Sequence, residues 1–303
     1  MKKPRACLFG GTGFVGHALL HRLRHAGFQC RVPTRYPHRH RELKLYPEVE
    51  LVTVPRQLDA ATLADCVRGC ELVVNLIGIL NETPRTRFQT LHVDLVERIV
   101  AAAQAAGVSR YWHLSALGAE DSSEHSQYQR TKAAGEAVAL NAAGLGALCL
   151  RPSVIFGQGD HLFTRFARLL DLTPGLFPLA CAETRFAPVW VGDVAEAMVR
   201  ALDDPNHLGT RLDLCGPQVM TLHEIVAYTA NCRGRWVKII PLNEKAGQWQ
   251  ARLLGYLPGQ PFSLDTYRAL QFDSLCTGHN GLLELGIHPT AVEAQVPLYL
   301  ATL

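Results

Sequence analysis

Tyr128 and Lys132 stand four residues apart in Tyr128-Gln129-Arg130-Thr131-Lys132, inside a run with helical patterning. That spacing puts phenol and amine on one helix face, a turn apart. Ser115 closes the strand-like run His113-Leu114-Ser115. A phenol with an ordinary pKa of about 10 is a poor acid at neutral pH, and a neighbouring ammonium lowers that value. The set therefore fits reduction of a carbonyl: Ser115 binds the substrate oxygen, Tyr128 supplies the proton, and Lys132 acidifies the phenol and holds the ribose of a hydride donor.

A hydride donor needs a place to bind, and Ala6-Cys7-Leu8-Phe9-Gly10-Gly11-Thr12-Gly13-Phe14-Val15-Gly16 supplies one. It reads as a strand, a glycine turn and a helix start. The early glycines allow the tight turn and let backbone approach a pyrophosphate, and Gly16 lets the helix pack on the strand. The first N–H groups of the helix then face the phosphates. Gly10, Gly11, Thr12, Gly13, Phe14, Val15 and Gly16 are accordingly the expected dinucleotide contacts. At the end of the second strand an NAD site usually has an acidic residue for the ribose 2′-hydroxyl. This chain has Arg31-Val32-Pro33-Thr34-Arg35, followed by His38, Arg39, His40, Arg41 and Lys44. A guanidinium suits a 2′-phosphate. NADP(H) is thus expected in preference to NAD(H), through Thr34, Arg39 and above all Arg35; the alternative is a solvated basic face.

The elements that must position these groups follow from the pattern of the first half. Short apolar runs at 6–9, 29–33, 49–54, 72–76, 110–114 and 147–150 alternate with helical stretches near 14–26, 59–68, 88–106 and 126–143. Such alternation predicts an α/β fold, a doubly wound parallel Rossmann sheet whose crevice lies at the carboxyl ends of the strands. After Arg151-Pro152 the rhythm changes. The expected division is a dinucleotide-binding domain over 1–155 and a smaller C-terminal lobe over 156–303 for substrate or partner, with a strand near 211–214 returning to the sheet. With 303 residues, 48% hydrophobic and 19% charged, the chain has material for a sizeable core. A net charge of +3 gives no argument for nucleic acid.

These segments resemble the short-chain dehydrogenase/reductase superfamily in its extended, atypical branch. More narrowly they are similar to the group of the Rossmann-type accessory subunit of respiratory complex I and its bacterial relatives. The resemblance rests on Phe9 to Gly16, Asn75-Leu76-Ile77-Gly78-Ile79-Leu80, His113 to Ala119, Arg151-Pro152-Ser153-Val154-Ile155-Phe156-Gly157 and Val189 to Ala195. It implies that Ser115, Tyr128 and Lys132 hold the family's triad positions, that Asn75 and Gly78 flank the adenosine half, and that Pro152, Ser153 and Val154 lie along the nicotinamide. It also implies two functions: an NADP-dependent oxidoreductase acting on a carbonyl or enone of a small apolar, quinone-related substrate, or a non-catalytic NADPH-binding accessory or assembly protein of the respiratory chain or quinone biosynthesis. The resemblance also implies that a Tyr-x-x-x-Lys pair can persist in members that bind NADPH for structural reasons, as a retained cofactor-positioning pair. Two departures stand out. Val54-Pro55-Arg56-Gln57 lacks the Asp that usually ends the third strand, and the short interval from Ser115 to Tyr128 argues against a nucleotide-sugar substrate.

Other features give weaker readings. The nine cysteines form no CxxC pair and are expected as free buried thiols in a reducing compartment. The basic start Met1 to Arg5 is followed by no apolar leader, and Glu136 and Asn141 interrupt the Ala-rich run at 133–150, so the expected location is the cytoplasm, extending to the inner face of the membrane. The thirteen histidines show no close ligand spacing and no metal site is expected. Trp249 to Pro258 mixes large apolar residues with Arg252; it suits core or lid packing, with a membrane surface or partner groove as the alternative.

Overall fold

The computed structural model describes residues 3–122, 124–173, 175–256 and 262–302. The six apolar runs of the first half become strands β1 (Arg5–Phe9), β2 (Gln29–Thr34), β3 (Val49–Thr53), β4 (Leu72–Asn75), β5 (Arg110–Leu114) and β6 (Gly146–Pro152). With β11 (Thr210–Leu214) they form one seven-stranded sheet in the order β11-β6-β5-β4-β1-β2-β3. The pairs β1–β2, β2–β3, β1–β4, β4–β5 and β5–β6 are all parallel. Every residue of β4 and all but the first of β1 are buried, as expected where helices cover both faces of a sheet. The covering helices are α1 (Phe14–His25), α2 (Ala60–Val67), α3 (Leu95–Ala105), α4 (Gln127–Leu140) and α6 (Val191–Arg200).

The chain runs outward from β1 to β3 and then returns to β4 on the other side of β1, which makes a topological switch point between β1 and β4. Register aligns the strand ends there. Phe9 pairs with Asn75 and Asn75 with His113, so Gly10 and Leu76 leave the sheet at one level, while β5 runs one residue further, with Leu114 opposite Leu150, before Ser115 leaves it.

Packing divides the chain into two interleaved units, one of residues 1–116, 131–151 and 194–212 and another of 117–130, 152–193 and 213–303. In the first, Phe9, Leu63, Val73, Val96, Ile99 and Tyr111 share a core. Trp112, also buried, donates its indole N–H to the Met198 carbonyl of α6 at 2.9 Å. The second unit holds three short sheets: β7 (Ile155–Phe156) with β10 (Val189–Trp190), β8 (Leu176–Leu179) with β13 (Lys238–Pro241), and β9 (Arg185–Phe186) with β12 (Met220–Thr221). Helices α5 (Phe163–Asp171), α7 (Leu222–Cys232) and α11 (Val292–Leu300) supply Phe163, Leu170, Ile225, Val226 and Val296 to its core. Among the described residues the unit also holds α8 (Glu244–Gly255), α9 (Leu264–Ala269) and α10 (Gly281–Glu284).

The cysteine expectation needs correction. Cys215 and Cys276 form a disulfide across 61 residues of sequence, and the argument for a reducing compartment falls with it. The end of β11 and the segment before α10 meet because the Asn280 side chain bonds both the N–H and the carbonyl of Cys215. Seven cysteines are free, five of them buried. Among the described residues, no helix is long and apolar enough to cross a membrane. Trp249, Leu253 and Tyr256 are exposed on and just after α8, so they do not pack into a core; Leu257 and Pro258 lie outside the described residues.

Candidate functional site

The glycines of the turn differ in what they are for. Gly10 has φ +81°, a left-handed conformation that side chains rarely tolerate, and Gly16 lies so close to the turn that a Cβ there would stand 2.4 Å from the Gly11 carbonyl oxygen. Both glycines are demanded by the fold. Gly13 is not: its backbone is extended, it is exposed, and a Cβ would meet only the Gly10 carbonyl at 3.2 Å. It caps α1 with no side-chain hydrogen bond, and the first helical bond runs from the His17 N–H to the Gly13 carbonyl at 3.0 Å. The earlier N–H groups of α1 thus face an open, bare Cα, a cradle that fits a pyrophosphate.

At the end of β2, Thr34 is buried and Arg35 exposed. The Arg35 and Arg39 guanidinium carbons lie 5.7 and 4.7 Å from the centre of the Tyr36 ring, so the two cations are gathered at one aromatic. Arg31 is excluded from any ligand role. Its guanidinium bonds Glu50 and the carbonyls of Asp65, Cys66 and Arg68 at the end of α2.

Asn75 ends β4 buried, and its Oδ1 accepts from the Ile77 N–H at 3.1 Å, shaping the loop that leads to Gly78. Gly78 faces the Lys132 amine and His92: a Cβ there would lie 3.7 Å from each. The Ile79 N–H donates to His92 Nε2 at 3.2 Å, which puts the ring proton on Nδ1, and Nδ1–H then donates to Thr131 Oγ1 at 3.0 Å. Burial and the Lys132 charge hold this imidazole down at about 3, so it stays neutral. Lys132 Nζ donates to the Leu114 carbonyl at 2.7 Å, one residue before Ser115. Burial pulls the amine down to about 8 against the opposing pull of Glu136. The turn, the β4 loop, Ser115 and Lys132 are therefore brought together in the first unit.

Glu136, one turn beyond Lys132, is fully buried. It accepts from Arg151 Nε and Nη2 at 2.7 and 2.5 Å and from Arg211 Nε at 2.7 Å. Gly135 lets α4 approach closely, since a Cβ there would stand 2.2 Å from the His92 carbonyl oxygen.

The second unit holds Tyr128, Pro152, Ser153 and Val154. Ser126 and Gln129 cap the start of α4 reciprocally, and Asp265 accepts from the Gln127 and Tyr128 N–H groups at 2.6 and 3.1 Å. Tyr128 is half-buried, and burial pushes its phenol up to about 12. The Ser153 hydroxyl donates to the Ser274 carbonyl at 2.7 Å, so this side chain holds the fold. Pro152 and Val154 offer their carbonyls to the N–H groups of Leu117 and Val189. Sequence reasoning passed over His92, Thr131, Asp265, Ser274 and the Glu136 cluster. Only the Ser126-x-x-Gln129 spacing gave a local signal of the cap.

The sequence profile of the NAD dependent epimerase/dehydratase family matches residues 6–213. The chain is similar to the mitochondrial NADH dehydrogenase (ubiquinone) 1 alpha subcomplex subunit 9 of Mus musculus, 30% identical over 297 residues that cover 96% of this chain and 78% of the relative. It is 32% identical to the protein of the same name from Arabidopsis thaliana over 285 residues, 89% of this chain and 70% of the relative. Its fold is that of the NADPH-dependent quinone oxidoreductase of Escherichia coli, solved with NADPH, at a TM-score of 0.76 and 21% identity over 97% of this chain and 99% of that one. With the β1 glycine turn, the switch-point sheet and this matched span in hand, the chain belongs to the NAD dependent epimerase/dehydratase family, as a Rossmann-fold relative of subunit 9 of the NADH dehydrogenase alpha subcomplex.

Proposed function

We propose that the chain binds NADPH at the glycine turn as a resident group and acts as an accessory or assembly protein of the respiratory chain or quinone biosynthesis. The observation that carries this reading is the likeness to an NADH dehydrogenase subunit over 96% of the chain. The Tyr128 phenol supports it: burial moves it up to about 12, the opposite of the acidification that an acid–base role near neutral pH calls for. Gly10 to Gly16, Asn75, Gly78 and Pro152 to Val154 contact the dinucleotide in this reading, with Thr34, Arg35 and Arg39 at the 2′-phosphate. The partner is a protein of the respiratory or quinone pathway at the inner face of the membrane, and the exposed Trp249, Leu253 and Tyr256 support peripheral contact there.

One observation favours a second reading, an NADP-dependent reductase of an apolar carbonyl or enone with Ser115, Tyr128 and Lys132 as catalytic residues. Ser115 Oγ is buried with no hydrogen-bond partner among the described residues, as a hydroxyl reserved for a ligand oxygen would be. The two readings part in a single-turnover experiment. Protein loaded with NADPH is mixed with a short-chain quinone or an apolar ketone, and the nicotinamide absorbance is followed for wild type and Tyr128→Phe. The accessory reading expects equal rates in both proteins and cofactor affinities within a few-fold of each other. A wild type faster by about a hundredfold or more would establish the reductase instead.

A further inference from the structure

Outside the cofactor residues, three side chains from two segments meet at the start of α1. His17 lies in its first turn, and His40 and Glu42 lie in the stretch of 3-10 turns after β2, at Pro37–Arg39 and Arg41–Leu45. Their ligand atoms all fall within 4.8 Å of one another. His17 Nε2 and His40 Nδ1 each stand 3.6 Å from the same oxygen, Glu42 Oε1. A tetrahedral zinc ion with bonds of about 2.0–2.1 Å has ligand–ligand edges of about 3.3–3.4 Å, so the two histidine–carboxylate separations need only a few tenths of an ångström of closure, and the two imidazoles, within 4.8 Å of each other, need a rotation of the exposed His17 ring toward His40.

The His17 ring is also prepared for such a role. Its Nδ1 lies 3.0 Å from the Gly13 carbonyl oxygen, an acceptor, so Nδ1 carries the proton and the Nε2 lone pair points at Glu42. Anchoring of the second ring nitrogen on a carbonyl is the arrangement that fixes tautomer and orientation in metal-ligating histidines. Glu42 presents one carboxylate oxygen to both rings. No two of these residues have a recognised ligand spacing, so the sequence alone leads to the expectation of no metal site. The fold assembles the set by bringing the end of the β2 segment back over α1.

We propose that His17, His40 and Glu42 form a three-ligand site for a borderline divalent cation of the zinc class, with one coordination position left to water or an anionic oxygen. Two nitrogens and one carboxylate oxygen suit zinc better than magnesium or calcium, which prefer all-oxygen sets. The alternative for the same geometry is an ion pair of Glu42 with protonated imidazoles.

Calorimetric titration of zinc chloride into the full chain at neutral pH decides between them. One site is expected, weakened at least about tenfold in each of His17→Ala, His40→Ala and Glu42→Gln, and weakened likewise on acidification as the imidazoles protonate. The His21→Ala/His25→Ala variant is the control, since it removes the other close histidine pair of α1, whose ring centres are 4.4 Å apart, and it should bind as wild type. X-ray absorption at the zinc edge of the wild-type complex gives a readout independent of any variant's folding: two imidazole nitrogens and a carboxylate oxygen are expected. Failure of wild type to take up zinc, affinity unchanged in the His17→Ala/His40→Ala variant, or a first shell without imidazole would overturn the proposal.

Discussion

Gly13→Val should abolish dinucleotide binding and leave the chain folded. The valine side chain would fill the space above the α1 N-terminus in which a pyrophosphate must meet bare backbone. The chain itself has room for it: Gly13 is exposed and extended, with only the Gly10 carbonyl within 4 Å of the added Cβ. Gly16 cannot serve as the probe, because a Cβ 2.4 Å from the Gly11 carbonyl oxygen would disturb the turn and confuse lost binding with lost fold. The expected loss is at least about a hundredfold in affinity, about 2.7 kcal/mol. Thermal-shift titration with NADPH reads it, against an unliganded melting temperature within a few degrees of wild type. Undiminished stabilisation by NADPH in the variant would remove the turn from the site.

Glu136→Gln should cost about 3 kcal/mol of stability, read as a lower urea midpoint at unchanged slope. The carboxylate is fully buried and offers its oxygens to two guanidiniums, and the isosteric amide keeps the shape but loses the charge and one acceptor. Arg151 is then left part-buried without its counter-ion; Arg211 is nearly half exposed and water compensates it, which keeps the estimate at the low end of the range for broken buried pairs. The cluster ties α4 to β6 and β11, so the same change loosens the base on which Lys132 is mounted. A loss of less than about 1 kcal/mol would show the cluster to be solvated in solution.

Much of this architecture is written in short-range patterns. Six apolar runs predict the first six strands because a strand buried on both faces needs an unbroken apolar segment, and the turn can be read because the backbone that Gly13 and Gly16 approach is that of Gly10 and Gly11, their near neighbours in sequence. What could not be read comes from residues distant in sequence. Asp265 caps α4 from 137 positions beyond Tyr128, and Ser274 holds Ser153 across 121. Cys276 meets Cys215 across 61, and His92 reaches Thr131 across 39. No periodicity connects such pairs; only the folded chain brings them together. Arg31 shows the reverse error, a cation that reads as part of the basic run at 31–44 and is in fact consumed by Glu50 and the carbonyls that end α2.

On the proposed function, the segment after β2 takes the 2′-phosphate of the dinucleotide, and calorimetric titration of wild type and Arg35→Asp with NADPH and NADH decides whether it does. Arg35 is exposed beside Tyr36 with Arg39 on the same ring, and a charge-assisted contact from it should favour NADPH by about 1.5–3 kcal/mol, roughly ten- to a hundredfold. Added salt should narrow the gap, since charges at an exposed contact are screened over about 8 Å at 0.15 M. Arg35→Asp should reverse the order, because a carboxylate repels the phosphate and accepts from a free 2′-hydroxyl. Equal affinity of the wild-type protein for the two cofactors, or an unchanged order in Arg35→Asp, would rule out a 2′-phosphate contact at Arg35 and reduce the run at 31–44 to a solvated basic face.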